Sequence, residues 1–158
     1  MGDKTAWNSL GISESDINTY LSHTGGAWNT YTPTLTNISL GNGTLSGKYF
    51  RAGRFIKFKV KLTFGSSTSV SGHMTVGLPV AYAEDIDVPE FAALLYDASA
   101  SLQRFPGRVM AITTTTVAVN AVKSDGTYLV ETVTSSTVPF TWTTSDFLIV
   151  SGAYEAAS

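Results

Sequence analysis

The stretch RFIKFKVKLTF, residues 54–64, decides the fold because its side chains alternate in character from Ile56 to Phe64. Lysines and one threonine fall on one side, and large apolar residues fall on the other. The apolar set is Ile56, Phe58, Val60, Leu62 and Phe64. A period of two is that of a β-strand, whose successive side chains point to opposite faces. The stretch therefore predicts a strand with one buried side and one solvent-facing side.

Short segments of similar character continue through most of the chain, separated by turn residues. Tight turns are predicted at Asn42-Gly43, at Ala52-Gly53 and at 124–126, whose sequence is Ser-Asp-Gly. Further strands are predicted at 44–51, 73–78, 103–112, 114–122, 128–134 and 147–154, and residues 91–96 form a short apolar run. No helical period appears between them, which argues against a parallel βαβ fold. Frequent short strands indicate an antiparallel all-β domain, either a sandwich, a jelly roll or a barrel.

Residues 1–30 differ from this pattern, and we treat them as an N-terminal arm preceding a β domain at 31–158. Ser13 is suited to cap a helix, with Glu14 and Asp16 placing negative charge near its positive end. Gly25-Gly26 is expected to end that helix. A helix of about ten residues is marginal alone in water, so its apolar side must dock on something. The candidate contact residues are Trp7, Leu10, Ile17, Tyr20 and Leu21.

Two partners for the arm remain open at this point. The helix either docks on its own β domain or reaches a neighbouring subunit or a scaffold.

The bulk composition limits the classes of function. The chain has 158 residues, no cysteine, 14% charged residues and a net charge of −2. The absence of cysteine excludes disulfides, thiol catalysis and Cys-ligated zinc. So weak a net charge gives no overall field for nucleic acid or an anionic membrane. No apolar run is long enough for a membrane-spanning helix, and the N-terminus lacks the apolar core of a signal peptide, so we expect synthesis in the cytoplasm.

Motifs for chemistry are missing from the sequence. The histidines His23 and His73 lack a third ligand nearby, so no metal is expected. No G-x-S-x-G, Walker A or G-x-G-x-x-G segment occurs. Glu84, Asp85 and Asp87 cluster in a segment expected to be a solvated loop. We therefore expect no catalytic residue, no cofactor and no enzymatic activity.

A basic strip is the most distinctive charged feature. Six of the ten positive charges fall within residues 48–61, at Lys48, Arg51, Arg54, Lys57, Lys59 and Lys61. Such a strip suits contact with phosphate, an acidic glycan or an acidic partner surface. Lysines on a solvent-facing strand also prevent edge-to-edge aggregation, and that structural role is the favoured interpretation. Trp28, Tyr31 and Trp142 either stack on sugars or belong to the core; their positions beside strand starts favour the core.

The sequence resembles a β domain that recurs in bacteriophages of actinobacteria, in tail-fibre-like and minor structural proteins. The residues that carry the likeness are WNTYTPTLTN at 28–37, LGNGTLSGKY at 40–49, RAGRFIKF at 51–58, LTFGSST at 62–68 and VGLPV at 76–80. The ending DFLIVSGAYE at 146–155 and the helical SDINTYL at 15–21 also resemble it. The resemblance implies an antiparallel jelly-roll-like β-sandwich, trimeric and displayed on a virion surface, and it transfers no catalytic residues.

Three roles follow from these expectations. The first is a capsid decoration protein that binds the major capsid protein as a trimer. The second is a tail component, a fibre or receptor-binding tip that recognises a host glycan. Only about thirty residues precede the domain and no coiled-coil heptads occur, so decoration is preferred over a fibre with a shaft. A soluble carbohydrate-binding or glycan-processing module is the third, and it would require an exposed aromatic platform near paired carboxylates.

Overall fold

The computed structural model describes residues 11, 13–24, 27–83, 90–99 and 103–157, which form one helix and ten strands. The helix is α1 (Glu14–Thr24). The strands are β1 (Asn29–Tyr31), β2 (Leu35–Ser39), β3 (Thr44–Ala52), β4 (Phe55–Thr63), β5 (Ser69–Gly77), β6 (Glu90–Asp97), β7 (Gln103–Thr113), β8 (Thr116–Ser124), β9 (Leu129–Val133) and β10 (Phe147–Glu155). Every strand pair is antiparallel. The predicted antiparallel all-β fold is confirmed.

The strands form one sheet in the order β1-β3-β4-β10-β6-β7-β8-β5-β2, with β9 paired to β8. The sheet curls on itself in a sandwich-like, jelly-roll-like manner. β10, the last strand in sequence, lies in the interior of this order. It pairs with β4 from Phe147 to Glu155 and with β6 from Phe147 to Ala153.

One hydrophobic core fills the inside of the curl. The predicted alternation of β4 is confirmed: its inward residues Ile56, Phe58, Val60 and Leu62 are at most 2% exposed. Phe58 packs edge-to-face against the rings of Phe91 and Tyr154, at centroid distances of 5.5 and 5.9 Å. The buried apolar side chains of the other strands join the same cluster, which includes Val76, Leu95, Val109, Val117, Val119, Leu148 and Val150. This shared core is what makes the curled sheet one unit.

A short run of chain joins the two ends of the sheet. β1 pairs with β3, and β2 pairs with β5, so residues 29–39 cross from one end of the strand order to the other. At the crossing the Gly77 N–H donates to the Thr34 carbonyl over 2.8 Å. A Cβ on Gly47 would lie 2.7 Å from the Tyr31 carbonyl oxygen, so only glycine allows β1 this close. Neither strand was predicted from the sequence.

Two of the three predicted turns differ in detail from their predictions. The turn before β3 is centred on Gly41-Asn42, with Gly43 N–H donating to the Leu40 carbonyl, and Gly41 has a φ of +53°. Ala52 still pairs with Phe55, so the next turn is centred one residue later than predicted, at Gly53-Arg54. The predicted turn at 124–126 is confirmed, because the Asp125 carboxylate accepts the N–H groups of Thr127 and Tyr128.

The sheet branches at β8. The first half of one β8 edge pairs with β5 and the second half pairs with β9. Thr134, which is fully buried, lies at the branch. Its hydroxyl donates to the Val119 carbonyl over 2.8 Å and accepts the Met74 N–H over 3.1 Å. One side chain therefore replaces the backbone pairing that is lost where the neighbour of β8 changes.

We expect Thr134→Val to lower the free energy of unfolding by about 2 kcal/mol, because it leaves the buried Met74 N–H without an acceptor. Val119 keeps a second contact, His73 Nε2 at 3.1 Å from its carbonyl oxygen. Thr134→Ser retains the hydroxyl and is the matched control. Urea denaturation of the two variants checks this, and equal losses of stability would contradict the role given to the hydroxyl.

Two buried tyrosine hydroxyls make stability sensitive to alkaline pH. Burial raises the pKa of Tyr154 to about 12, with Tyr49 adding to the rise and the Val80 backbone and Arg51 opposing it. The Tyr154 hydroxyl donates to the Val80 carbonyl over 2.7 Å. Burial, followed by the proximity of Tyr154, also raises the pKa of Tyr31. Both hydroxyls therefore hold their protons at a pH where an unfolded chain, with a tyrosine pKa of 10.0, releases them.

Stability should accordingly be unaffected by these groups below about pH 10 and fall as pH rises toward 12, because the unfolded state then binds fewer protons. Each tyrosine should increase the unfolding constant by up to about tenfold per pH unit in that window. Denaturant unfolding from pH 9 to 12 measures how steeply the free energy of unfolding falls with pH. Tyr154→Phe should reduce that slope by the contribution of one tyrosine. An unchanged slope in Tyr154→Phe would contradict the assignment.

Candidate functional site: the outer face of the sheet

The six residues of the predicted basic strip separate into two groups. Lys57, Lys59 and Lys61 all lie on the outer, solvent-facing side of β4, where exposed and buried positions alternate strictly. Lys48 lies on the same side of β3, directly opposite Lys59. We call these four residues the lysine group.

The two arginines have a different environment. Arg51 Nε donates to the Gly53 carbonyl over 2.8 Å, across the β3–β4 turn. Arg54 Nε donates to the Ala156 carbonyl over 2.9 Å, and its guanidinium lies 2.9 Å from a Glu155 carboxylate oxygen. They hold the turn and the segment after β10 in place, so the structure does not bring them together with the lysines as one contact surface.

None of the lysines of the lysine group forms an ion pair with a described side chain. Where side chains are described, the ion pairs are Arg54–Glu155 and Arg108–Glu131, and neither includes one of these lysines. Residues two apart on a strand are separated by about 6.8 Å, and residues on neighbouring strands by about 4.8 Å. Like charges that close repel modestly, and an anionic neighbour relieves the repulsion. This part of the sheet is locally cationic although the chain carries a net charge of −2.

Beside the lysines, four side chains from four adjacent strands form a stack across the sheet. The Lys61 ammonium lies 4.7 Å from the centre of the Phe147 ring. The Phe147 and Tyr96 rings stack with centroids 4.3 Å apart and planes 18° apart. The Arg104 guanidinium lies 5.2 Å from the centre of the Tyr96 ring. Each face of both rings is occupied, so this aromatic pair offers no free face for stacking on a sugar or a base.

The outward residues of β10 from Phe147 to Ala153 and of β6 from Ala92 to Tyr96 form an uncharged strip, and the next outward residue of β10 is Glu155, which pairs with Arg54. We call the uncharged strip the apolar band, and it consists of Phe147, Ile149, Ser151, Ala153, Ala92, Leu94 and Tyr96. These side chains are partly or well exposed. β4 borders the band with the lysines, and β7 borders it with Arg104, Pro106 and Arg108. The outer face thus has an apolar centre and a positively charged rim.

The β7 side of this rim is partly neutralised. Arg108 Nε lies 3.1 Å from one Glu131 oxygen, and Asn120 Nδ2 donates to the other oxygen over 2.9 Å. Asn120 Oδ1 is buried without a hydrogen-bond partner. The positive charge of the face is therefore concentrated on the lysine group and Arg104.

The arm is described only in part. Ser13 caps α1 as predicted, with its hydroxyl accepting the Asp16 N–H over 3.1 Å. The Asp16 carboxylate accepts the Ser13 hydroxyl and N–H, and these bonds hold its pKa below the usual value. α1 runs beside β3 of its own domain, and Ile17 is half-buried. Trp7 and Leu10 lie outside the described residues. Tyr20 and Leu21 belong to α1, for which the structure describes the backbone at these two positions.

The aromatic and histidine candidates have structural contacts. Trp142 stacks on Phe64 at 4.6 Å, and Tyr31 packs against the core, as predicted. Trp28 is 49% exposed, so its expected place in the core is wrong; it precedes β1, whose short pairing gives it no cover. His73 contacts the Val119 carbonyl. His23 lies in the described backbone of α1.

The rest of the described chain offers few features of a functional site. No group of three potential metal ligands occurs there, and no helix there is long and apolar enough to cross a bilayer. The acidic segment with Glu84, Asp85 and Asp87 lies outside it. An open pocket of about 310 Å³ lies at the β8–β9 end of the domain, lined in part by Phe105, Lys123 and Pro139.

Comparisons with known proteins gave no match: no protein-family model, no curated protein and no solved structure matches the chain.

Proposed function

We propose that this chain is a non-enzymatic structural protein of a bacteriophage particle, a decoration protein that binds the capsid shell as a trimer. The observation that supports this proposal is the outer face, where an apolar centre is bordered by the lysine group and Arg104, none of which forms an ion pair with a described residue. Such a face is typical of a surface that a partner protein covers. The resemblance of residues 28–80 and 146–155 to phage structural domains is the support for placing it on a phage particle.

Locating the protein on intact particles tests the proposal directly. A small tag placed after residue 157 can be labelled with gold and viewed by electron microscopy. Regular labelling of the shell is the expected result. Label confined to the tail would favour the second candidate below, and particles without label would contradict both.

The arm supplies a second test of the same proposal. β1 begins at Asn29, so a deletion of residues 1–27 removes the arm without cutting the strand that closes the sheet. The truncated chain should unfold cooperatively and keep its oligomeric state, measured by analytical ultracentrifugation, while losing its association with shells. Full occupancy of shells by the truncated chain would contradict a role for the arm in attachment.

A receptor-binding tip is the second candidate, and one observation favours it. Tyr128 and Leu129, at the tip of the β8–β9 hairpin, are 72% and 78% exposed. Exposed aromatic and aliphatic side chains at a loop tip are suited to contact with a host glycan. Purified protein should then compete with phage for adsorption to host cells, and Tyr128→Ala should reduce the competition. Phe55→Ala, at another exposed aromatic site, is the control.

A further inference from the structure

We propose that the apolar band with the lysine group is the surface that binds the partner, and that the partner presents an acidic protein surface. This inference rests on the proposed function and names the side of the domain that faces the shell. The band would contact apolar side chains of the partner, while Lys48, Lys57 and Lys59 would face its carboxylates.

The shape of the face argues for a broad partner. The lysines project from neighbouring positions of a sheet, about 4.8 Å apart across strands and about 6.8 Å apart along a strand. They are not gathered around one point, as donors to a single phosphate or sulfate would be. The adjoining apolar band extends over two further strands, β10 and β6. A protein surface covers both regions at once, and a small anion covers neither.

The stacked rings argue against a sugar chain or a single-stranded nucleic acid. Both ligands usually bind by stacking their rings or bases on free aromatic faces. Here Lys61 and Arg104 cap the outer faces of the Phe147–Tyr96 pair, at 4.7 and 5.2 Å. The aromatic residues of the band thus serve as apolar contact area and not as a stacking platform.

Charge also argues against a second copy of this chain. A two-fold contact uses the same face on both subunits. Two copies of this face would set the lysine group against either another lysine group or Arg104, so cations would meet in both orientations. A two-fold self-contact through this face is therefore disfavoured, whereas an acidic partner surface matches its charge.

Lysine footprinting on intact particles tests the inference. Free protein and particle-bound protein are acetylated under the same conditions, and the modification of each lysine is measured by mass spectrometry. Lys57 and Lys59 should react about tenfold more slowly on the particle, because a buried interface excludes the reagent. Lys123, exposed near the end of β8 and outside the face, is the internal control and should change little. If the protein is on the particle but Lys57 and Lys59 are acetylated there as readily as Lys123, this inference is overturned. The proposed function would remain intact.

Charge reversal provides the matched variants. Lys59→Glu, beside Lys48, should weaken association with shells prepared without the protein about tenfold at low salt, with a smaller effect at high salt. Lys123→Glu has the same change in net charge and should have little effect. Both sites are exposed, so folding is expected to persist, and thermal unfolding checks it. Equal weakening by the two variants would overturn the inference.

Two polyanion probes separate the remaining ligand classes. Heparin and single-stranded DNA, each immobilised, are tested with the unmodified chain at the ionic strength of the shell experiment. We expect both polyanions to retain the chain weakly. Lys59→Glu and Lys123→Glu should change this retention equally. Strong retention lost selectively in Lys59→Glu would overturn the assignment to a protein partner in favour of a polyanionic chain. If the chain is absent from particles altogether, the proposed function fails and the inference fails with it.

Discussion

Asp146→Ala should lower the free energy of unfolding by about 4 kcal/mol, because it leaves two backbone donors without an acceptor. Asp146 is fully buried. Its carboxylate accepts the Ala98 N–H over 2.8 Å and the Thr143 N–H over 2.6 Å, and so ties the end of β6 to the loop before β10. Chemical denaturation measures the loss.

Asp125→Ala is a closely matched control for this prediction. The Asp125 carboxylate also accepts two backbone N–H groups, from Thr127 and Tyr128, but it lies in an exposed turn where water can replace it. We expect a loss of about 1 kcal/mol or less there. Asp146→Asn keeps one acceptor oxygen and should fall between the two alanine variants. Similar losses for Asp125→Ala and Asp146→Ala would contradict the importance of burial.

The second large effect is expected at Phe58. Phe58→Ala should cost about 3–5 kcal/mol, because it removes a buried ring and leaves a cavity between Phe91 and Tyr154. Phe55→Ala removes the same side chain from the same strand, on the opposite face, where the ring is 49% exposed. That variant should cost about 1 kcal/mol or less. A comparison of the unfolding curves of the two variants tests whether β4 has one buried and one exposed face. Equal losses of stability would contradict this.

The alternation within residues 54–64 was enough to predict β4. A strand with one buried and one solvent-facing side needs apolar and polar residues in alternation, and this period is visible in the sequence. β8 was also predicted, although its burial is less regular: Ala118 and Asn120 lie on its outer side and are nonetheless 1% and 6% exposed. Small size at Ala118 and the contacts of Asn120 with Met110 and Glu131 explain this burial. Neither contact is visible in the spacing of residues along one strand.

β1 and β2 were missed for a different physical reason. β1 has only three residues, and Pro33 follows it closely, so local propensity gives little signal there. Their pairing depends on Gly47 and Gly77, which allow the crossing segment to approach β3 and β5. Such a requirement belongs to the tertiary structure, and the sequence alone shows only two glycines among fourteen.

The candidate site was predicted in part. Periodicity placed Lys57, Lys59 and Lys61 on one wet face, and the structure agrees. The apolar band went unrecognised because β10 and β6 are far apart in sequence and become neighbours only through the strand order. The partners of Arg51 and Arg54 likewise depend on turn geometry and on the segment after β10. Summing charges over a window of sequence therefore overestimated the extent of the basic surface.

The interior position of β10 has a consequence for how the protein is made. A nascent chain that has emerged only as far as β9 has two long strands, β4 and β6, each lacking the neighbour that β10 provides. Those open edges are templates for pairing with other chains. Closure joins β10 with β4, far away in sequence, a contact of the kind that slows folding. Ribosome stalling or proteolysis before β10 should thus yield aggregates and not shorter working domains, so the cell obtains either the complete sheet or none.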